Sequence, residues 1–69
     1  MYHFFAEIFI EKEFGVYKKY DYHGVVKIKI EDKEDYIKLM DIISREICYK
    51  KGIGIEKIYD IVVKSLTKL

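Results

Sequence analysis

The side chains best suited to recognition crowd into one stretch, Val16-Tyr17-Lys18-Lys19-Tyr20-Asp21-Tyr22-His23-Gly24. Three of the seven tyrosines, two lysines and one of the two histidines fall there. Flat amphipathic rings stack, ammonium groups meet anions, and an imidazole titrates near neutral pH. Tyr17, Tyr20 and Tyr22 could therefore stack on a nucleobase while Lys18, Lys19 and His23 meet phosphates. The same residues suit a solvated hairpin, in which tyrosines cover sheet surface and lysines keep an edge soluble. Both readings stand at this point, and these six residues form the candidate ligand-binding set.

Other chemistry has weaker support. His3 and His23, with Asp21 or Glu7, could make a general base or a metal pair across a hairpin. No serine or cysteine nucleophile stands at a recognisable spacing, and no HExxH, CxxC or glycine-rich phosphate loop occurs. No catalytic residue, metal ligand or cofactor is expected. Cys48 lies beside the apolar side of a helical pattern and reads as a small buried hydrophobe. Glu31, Asp32, Glu34 and Asp35 lack the calcium-loop spacing and read as helix capping.

Thirteen Lys and Arg against twelve Asp and Glu give a net charge of +1, with the signs mixed along the chain. Nucleic-acid binders usually carry a basic excess or stripe, and only Arg45 here offers a bidentate fork. A general nucleic-acid coat is disfavoured, which leaves a protein or a nucleotide-like ligand as the expected partner. No apolar run approaches membrane-spanning length, so no membrane partner is expected. Met1–Glu7 lacks a basic region and a long apolar run, and the single cysteine suits a reducing compartment. A cytoplasmic location follows as the expectation.

Sixty-nine residues make a single domain, 1–69, with a core worth only a few kcal/mol. An apolar fraction of 51% nonetheless requires a folded chain. A lone cysteine forms no intrachain disulfide, so a homo-oligomer is the expected reinforcement.

The elements that must position these groups come from periodicity. Residues 4–13 alternate, with Phe4, Ala6, Ile8 and Ile10 on one face and Glu7, Glu11 and Glu13 on the other, the pattern of a half-buried strand. Phe5 and Phe9 share the outer face with the glutamates, a patch that wants covering. Residues 25–31 alternate again, which predicts a second strand with Val26, Ile28 and Ile30 inward. Phe14-Gly15 and His23-Gly24 read as turns, and the tyrosine segment as an extension of the hairpin or a short strand of its own.

A helix is predicted over residues 33–51. Asp32 is a natural N-cap, Lys50-Lys51 complement the C-terminal end, and Gly52 suits C′. Tyr36, Met40, Ile43 and Ile47 form its apolar stripe, flanked by Leu39 and Cys48. The last segment carries both an amphipathic helical wheel and the strand-favouring run Ile58-Tyr59-Asp60-Ile61-Val62-Val63. A third strand near residues 58–66 is the preferred reading, because a hairpin alone is marginal.

The expected fold is α+β: a small β-β-α-β domain, its sheet antiparallel or mixed, with one helix packed on one face. Phe5, Phe9 and the tyrosines would then occupy the open face. The alternative is a β-hairpin followed by two helices. It resembles the ribbon-helix-helix DNA-binding dimers, with Lys27 and Lys29 as the outward residues that would read bases.

Four short segments carry a further resemblance: Tyr2-His3-Phe4-Phe5, Tyr22-His23-Gly24-Val25-Val26, Glu34-Asp35-Tyr36 and Ile61-Val62-Val63-Lys64-Ser65-Leu66. Their order is similar to that in small uncharacterised bacteriophage-encoded β-β-α-β proteins. The resemblance implies a binder rather than an enzyme, a phage-encoded inhibitor of host defence that sequesters a nucleotide signal or occludes a protein. It implies no site residues.

Overall fold

Period-two alternation turns Phe4, Ala6, Ile8 and Ile10 to one side of the first strand, β1 (Tyr2–Glu13), where all four are buried. That buried row is the floor on which the rest of the chain assembles. In the computed structural model, which describes all residues from Met1 to Leu69, four further elements follow. They are β2 (Val16–Val26), α1 (Lys33–Lys51), a short 3-10 turn (Ile55–Lys57) and β3 (Ile58–Lys68). The sheet order is β2-β1-β3, with both pairings antiparallel, so β1 is the central strand. The fold is the expected β-β-α-β arrangement, with an antiparallel rather than a mixed sheet.

α1 lies across one face of this sheet. Its buried residues Leu39, Ile43 and Ile47 recur every four positions and meet the β1 row, Val26 of β2 and Ile61 of β3 in one core cluster. The apolar stripe is therefore turned from the expected one. Ile43 and Ile47 belong to it, Met40 packs at its margin, and Tyr36 is 39% exposed.

Local chemistry sets the limits of α1. The Asp32 side chain accepts a hydrogen bond from the Asp35 N–H at 3.0 Å, while Asp35 accepts one from the Glu31 N–H at 3.2 Å. Both are first-turn caps of the kind that satisfy otherwise unpaired backbone donors. Gly52 ends the helix in the left-handed region at φ 64°, its N–H donating to the Cys48 carbonyl.

The strand boundaries depart from expectation in β2. The tyrosine segment is the strand itself, and His23-Gly24 is no turn: His23 pairs with Phe5 and Gly24 with Phe4. A Cβ at Gly24 would sit 3.3 Å from the Phe4 ring, tighter than ordinary contact, so a larger residue there would require this buried ring to shift. The ladder with β1 ends at Tyr2↔Val26, so residues 27–30 have no neighbouring strand on which to continue it. Ile28 and Ile30 still pack against the core, which produces strand-like alternation in a connection that is not a strand. The hairpin turns at Phe14-Gly15 as expected, with Gly15 at φ 78°.

Residues 58–68 form a strand, so the two-helix alternative and the ribbon-helix-helix arrangement built on it are not adopted. β3 carries two register shifts against β1, one at Tyr59 and one at Lys64. Such bulges re-aim side chains locally.

Truncating the central knob, Ile43→Ala, should destabilise the domain by about 2–5 kcal/mol in urea unfolding, because the sheet cannot collapse into the cavity. Tyr36→Ala, on the rim of the same helix, should change stability by about 0.5 kcal/mol or less.

Candidate functional site

The alternation that makes β2 a strand divides the candidate set between two faces. Ile8 pairs with Tyr20, Ala6 with Tyr22 and Ile10 with Lys18, which puts these three β2 residues on the helix side. Tyr17, Lys19 and His23 pair with Glu11, Phe9 and Phe5 and lie on the open side. The open face therefore does not carry all the tyrosines. The six residues do not converge; each half meets different company.

On the helix side, Tyr20 becomes the centre of a cationic cleft of about 560 Å³ at the hairpin end of the molecule. Ile10, Glu11 and Lys12 come from β1, Lys50 and Lys51 from the last turn of α1, and Ile53 and Lys57 from the segment leading to β3. The Lys51 ammonium stands 3.7 Å from the centroid of the Tyr20 ring, Lys18 5.2 Å and Lys12 5.9 Å. The negative face of an aromatic ring attracts cations, so Tyr20 gathers three ammonium groups that otherwise repel. Its phenol titrates below the ordinary tyrosine value, chiefly through hydrogen bonding from Lys12, opposed by burial and aided by the charges of Lys12, Lys18 and Lys51.

None of the four lining lysines has a carboxylate partner, whereas Lys19, Lys29, Lys38, Arg45 and Lys64 all do. Glu11 is the one acidic residue in the lining. A concave site with a surplus of cations, an aromatic floor and the Ile10 and Ile53 side chains suits an anion attached to a flat or apolar body.

A second cleft of about 370 Å³ adjoins the first and shares Lys50 with it, its other walls being Tyr22, Arg45, Glu46 and Tyr49. Here the Tyr22 hydroxyl donates to Glu46 at 2.5 Å, and Lys50 sits 4.9 Å from the Tyr22 ring centroid. Burial first, then the Glu46 carboxylate, pushes the Tyr22 phenol up to about 12. Tyr22 also packs against Phe4, with ring centroids 5.6 Å apart, so its ring belongs to the core margin.

The open face has a different character. Lys19 bonds Glu7 at 2.8 Å across the β1–β2 pair, and Lys64, displaced by its bulge, approaches the same carboxylate from β3 at 3.8 Å. Hydrogen bonding from Lys19 holds the Glu7 carboxyl below its usual value, and Glu7 raises Lys19 in return. To one side lie Phe5, His3 and His23, the two imidazole centroids 5.9 Å apart. To the other, the rings of Tyr17 and Tyr59 stack at 4.4 Å. No group of three or more His, Cys, Asp or Glu side chains gathers anywhere in a way that would hold a metal ion. Cys48 is half-buried. No helix is long and apolar enough to cross a membrane.

Reasoning from the sequence found Tyr20 and Lys18 but missed Lys12, Lys50, Lys51 and Lys57 as site residues, and Tyr49 beside them. Lys50-Lys51 has an adequate local explanation at a helix C-terminus, and Lys12 and Lys57 lie far apart in the chain. The available signal was that each of these residues adjoins an element boundary at the same end of the sheet. Comparison with family models, curated proteins and solved structures finds no match for this chain.

Tyrosine ionisation, followed by ultraviolet difference absorbance, should spread to both sides of the ordinary value near about 10, with Tyr20 early and Tyr22 late. The folded Tyr22 value lies above the unfolded one, so its contribution to stability is complete below about pH 10 and disappears as pH rises towards 12. Tyr22→Phe should remove the late ionisation step and flatten that part of the alkaline stability profile.

Proposed function

We propose that this chain is a non-enzymatic binding protein whose lysine-rimmed cleft holds a phosphate-bearing, nucleotide-like ligand. The observation that carries the reading is the convergence of Lys12, Lys18 and Lys51 on the Tyr20 ring, with Lys50 and Lys57 in the same wall or its surroundings and no carboxylate paired to any of them. Three cations held near one another raise the local potential, and a multiply charged phosphate relieves the repulsion that the empty cleft must bear. Ile10 and Ile53 supply apolar surface for the uncharged part of the ligand. Occupancy is the mechanism, in keeping with sequestration of a nucleotide signal as the phage-protein resemblance implies.

Self-association fits the open face and would support so small a core. Val25, Val62 and the Tyr17–Tyr59 pair are exposed there, with Phe5 and Phe9 half-buried among them, around one ion-pair cluster. The two histidines occupy one end of this face, and Asp60 belongs to the other. A second copy turned end for end would set imidazoles over carboxylates, which favours that pairing over a parallel one.

Isothermal titration with ATP and with inorganic pyrophosphate should show binding that weakens as salt is raised. Lys51→Glu should reduce affinity about tenfold or more, equivalent to about 1.4 kcal/mol, with the circular dichroism spectrum unchanged. Absence of binding to both compounds at low salt would sink the reading. For the assembly, the melting temperature should fall on dilution, and Phe9→Lys should give a monomer in light scattering. A concentration-independent melting temperature with a monomeric wild type is the contrary result.

A further inference from the structure

The two clefts share Lys50, and the ring of Tyr49, which neither core nor cations occupy, lines the second. We infer that the basic surface formed by the two clefts around the C-terminal end of α1 binds a single-stranded oligonucleotide rather than a lone mononucleotide. The inference rests on the anion-binding reading of the first cleft and extends it into the second.

Three features carry it. The cations exceed what one phosphate group would satisfy: Lys12, Lys50, Lys51 and Lys57 all line the first cleft without a carboxylate partner, and Lys50 also reaches the second. That spread suits phosphates repeated along a strand. Next, the aromatic rings divide their duties. Tyr20 and Tyr22 carry lysine ammonium groups over their rings and are partly buried, so their faces are taken. Tyr49, in the last turn of α1, is 89% exposed and has neither an aromatic nor a cationic partner. A free ring beside a basic channel is the pairing by which single strands are held, since every base has a π face to offer.

Finally, the polar groups that could read base edges are already engaged. Glu46 accepts from Tyr22, and Arg45 pairs with Asp41 at 3.1 Å. Recognition should therefore be tolerant of sequence. A duplex fits less well, because its bases are stacked inside and Tyr49 would have none to meet. The net charge of +1 argues against coating a long polymer, but a site a few nucleotides long depends only on the local concentration of lysines.

The test is fluorescence anisotropy of the full chain with a fluorescein-labelled oligothymidylate of about ten nucleotides, a length within the range that single-strand sites cover. Competitors are the same oligomer unlabelled, a duplex of equal length, and ATP. The single strand should bind at least about tenfold more tightly than either of the others, and affinity should fall with salt with a log–log slope of about −3, as expected for four or five phosphate contacts on a single strand. Tyr49→Ala, a change at an exposed position, should weaken the oligomer about tenfold while leaving ATP affinity unchanged. Equal affinity for oligomer and ATP, preference for the duplex, or indifference to Tyr49→Ala would overturn the extension and leave the anion site standing. Failure of both oligomer and ATP to bind would overturn the two readings together.

Discussion

Everything in this domain depends on how β1 is enclosed. Its Phe4, Ala6, Ile8 and Ile10 side chains are closed off by α1, and it is hydrogen-bonded to a neighbour on each edge. A central strand fixed in this way dictates the register of both partners, because a slip of one residue would turn Phe4, Ala6, Ile8 and Ile10 to the opposite face. It also decides which side of β2 each tyrosine occupies. Tyr20 and Tyr22 lie under the edge of the helix because they stand opposite Ile8 and Ala6, whatever their own chemistry. The site is therefore a by-product of core registration. The end of the helix delivers Lys50 and Lys51 to the place where β2 has already put a tyrosine ring.

That origin accounts for an electrostatic arrangement that a small protein would otherwise avoid. Like charges kept close destabilise a compact state unless something offsets them. Here the offsets are local and partial: one ring near three ammonium groups, and a helix C-terminus whose unpaired carbonyls favour nearby cations. On the opposite side of the sheet, Glu7 is matched by Lys19 and Lys64. The two faces thus treat lysine differently, neutralised on one and left in surplus on the other.

Much of the fold was legible in the residues. α1 runs over 33–51 as its punctuation indicates, since Asp32, Lys50-Lys51 and Gly52 each act through the backbone nearest to them. β3 was legible through its β-branched run, where propensity agreed with the need for a third strand. β2 was displaced because alternation reports burial of alternate residues, not hydrogen bonding, and Ile28 and Ile30 bury themselves in a connection. His23-Gly24 looked like a turn because a glycine in close contact with a ring cannot be told in sequence from one placed at a bend. The candidate site was half legible for a single reason. Neighbours in sequence along a strand are not neighbours in space, so Tyr20 kept Lys18 but lost Lys19 and His23, while Lys12, Lys51 and Lys57 came to it from elsewhere.

The strand order β2-β1-β3 has a consequence for how the cleft is held together. The β1–β2 pair closes across two turn residues, whereas β1 meets β3 only after the chain has run through the hairpin, the helix and the 3-10 turn. The second closure carries by far the larger entropic burden. Lys12 and Tyr20 belong to the local hairpin, but Lys57 and Ile53 lie on the segment that only the distant pairing fixes. A ligand of the proposed kind, seated among them, would bridge the local and the distant pairings and so would act as a clamp on the least local contact in the fold.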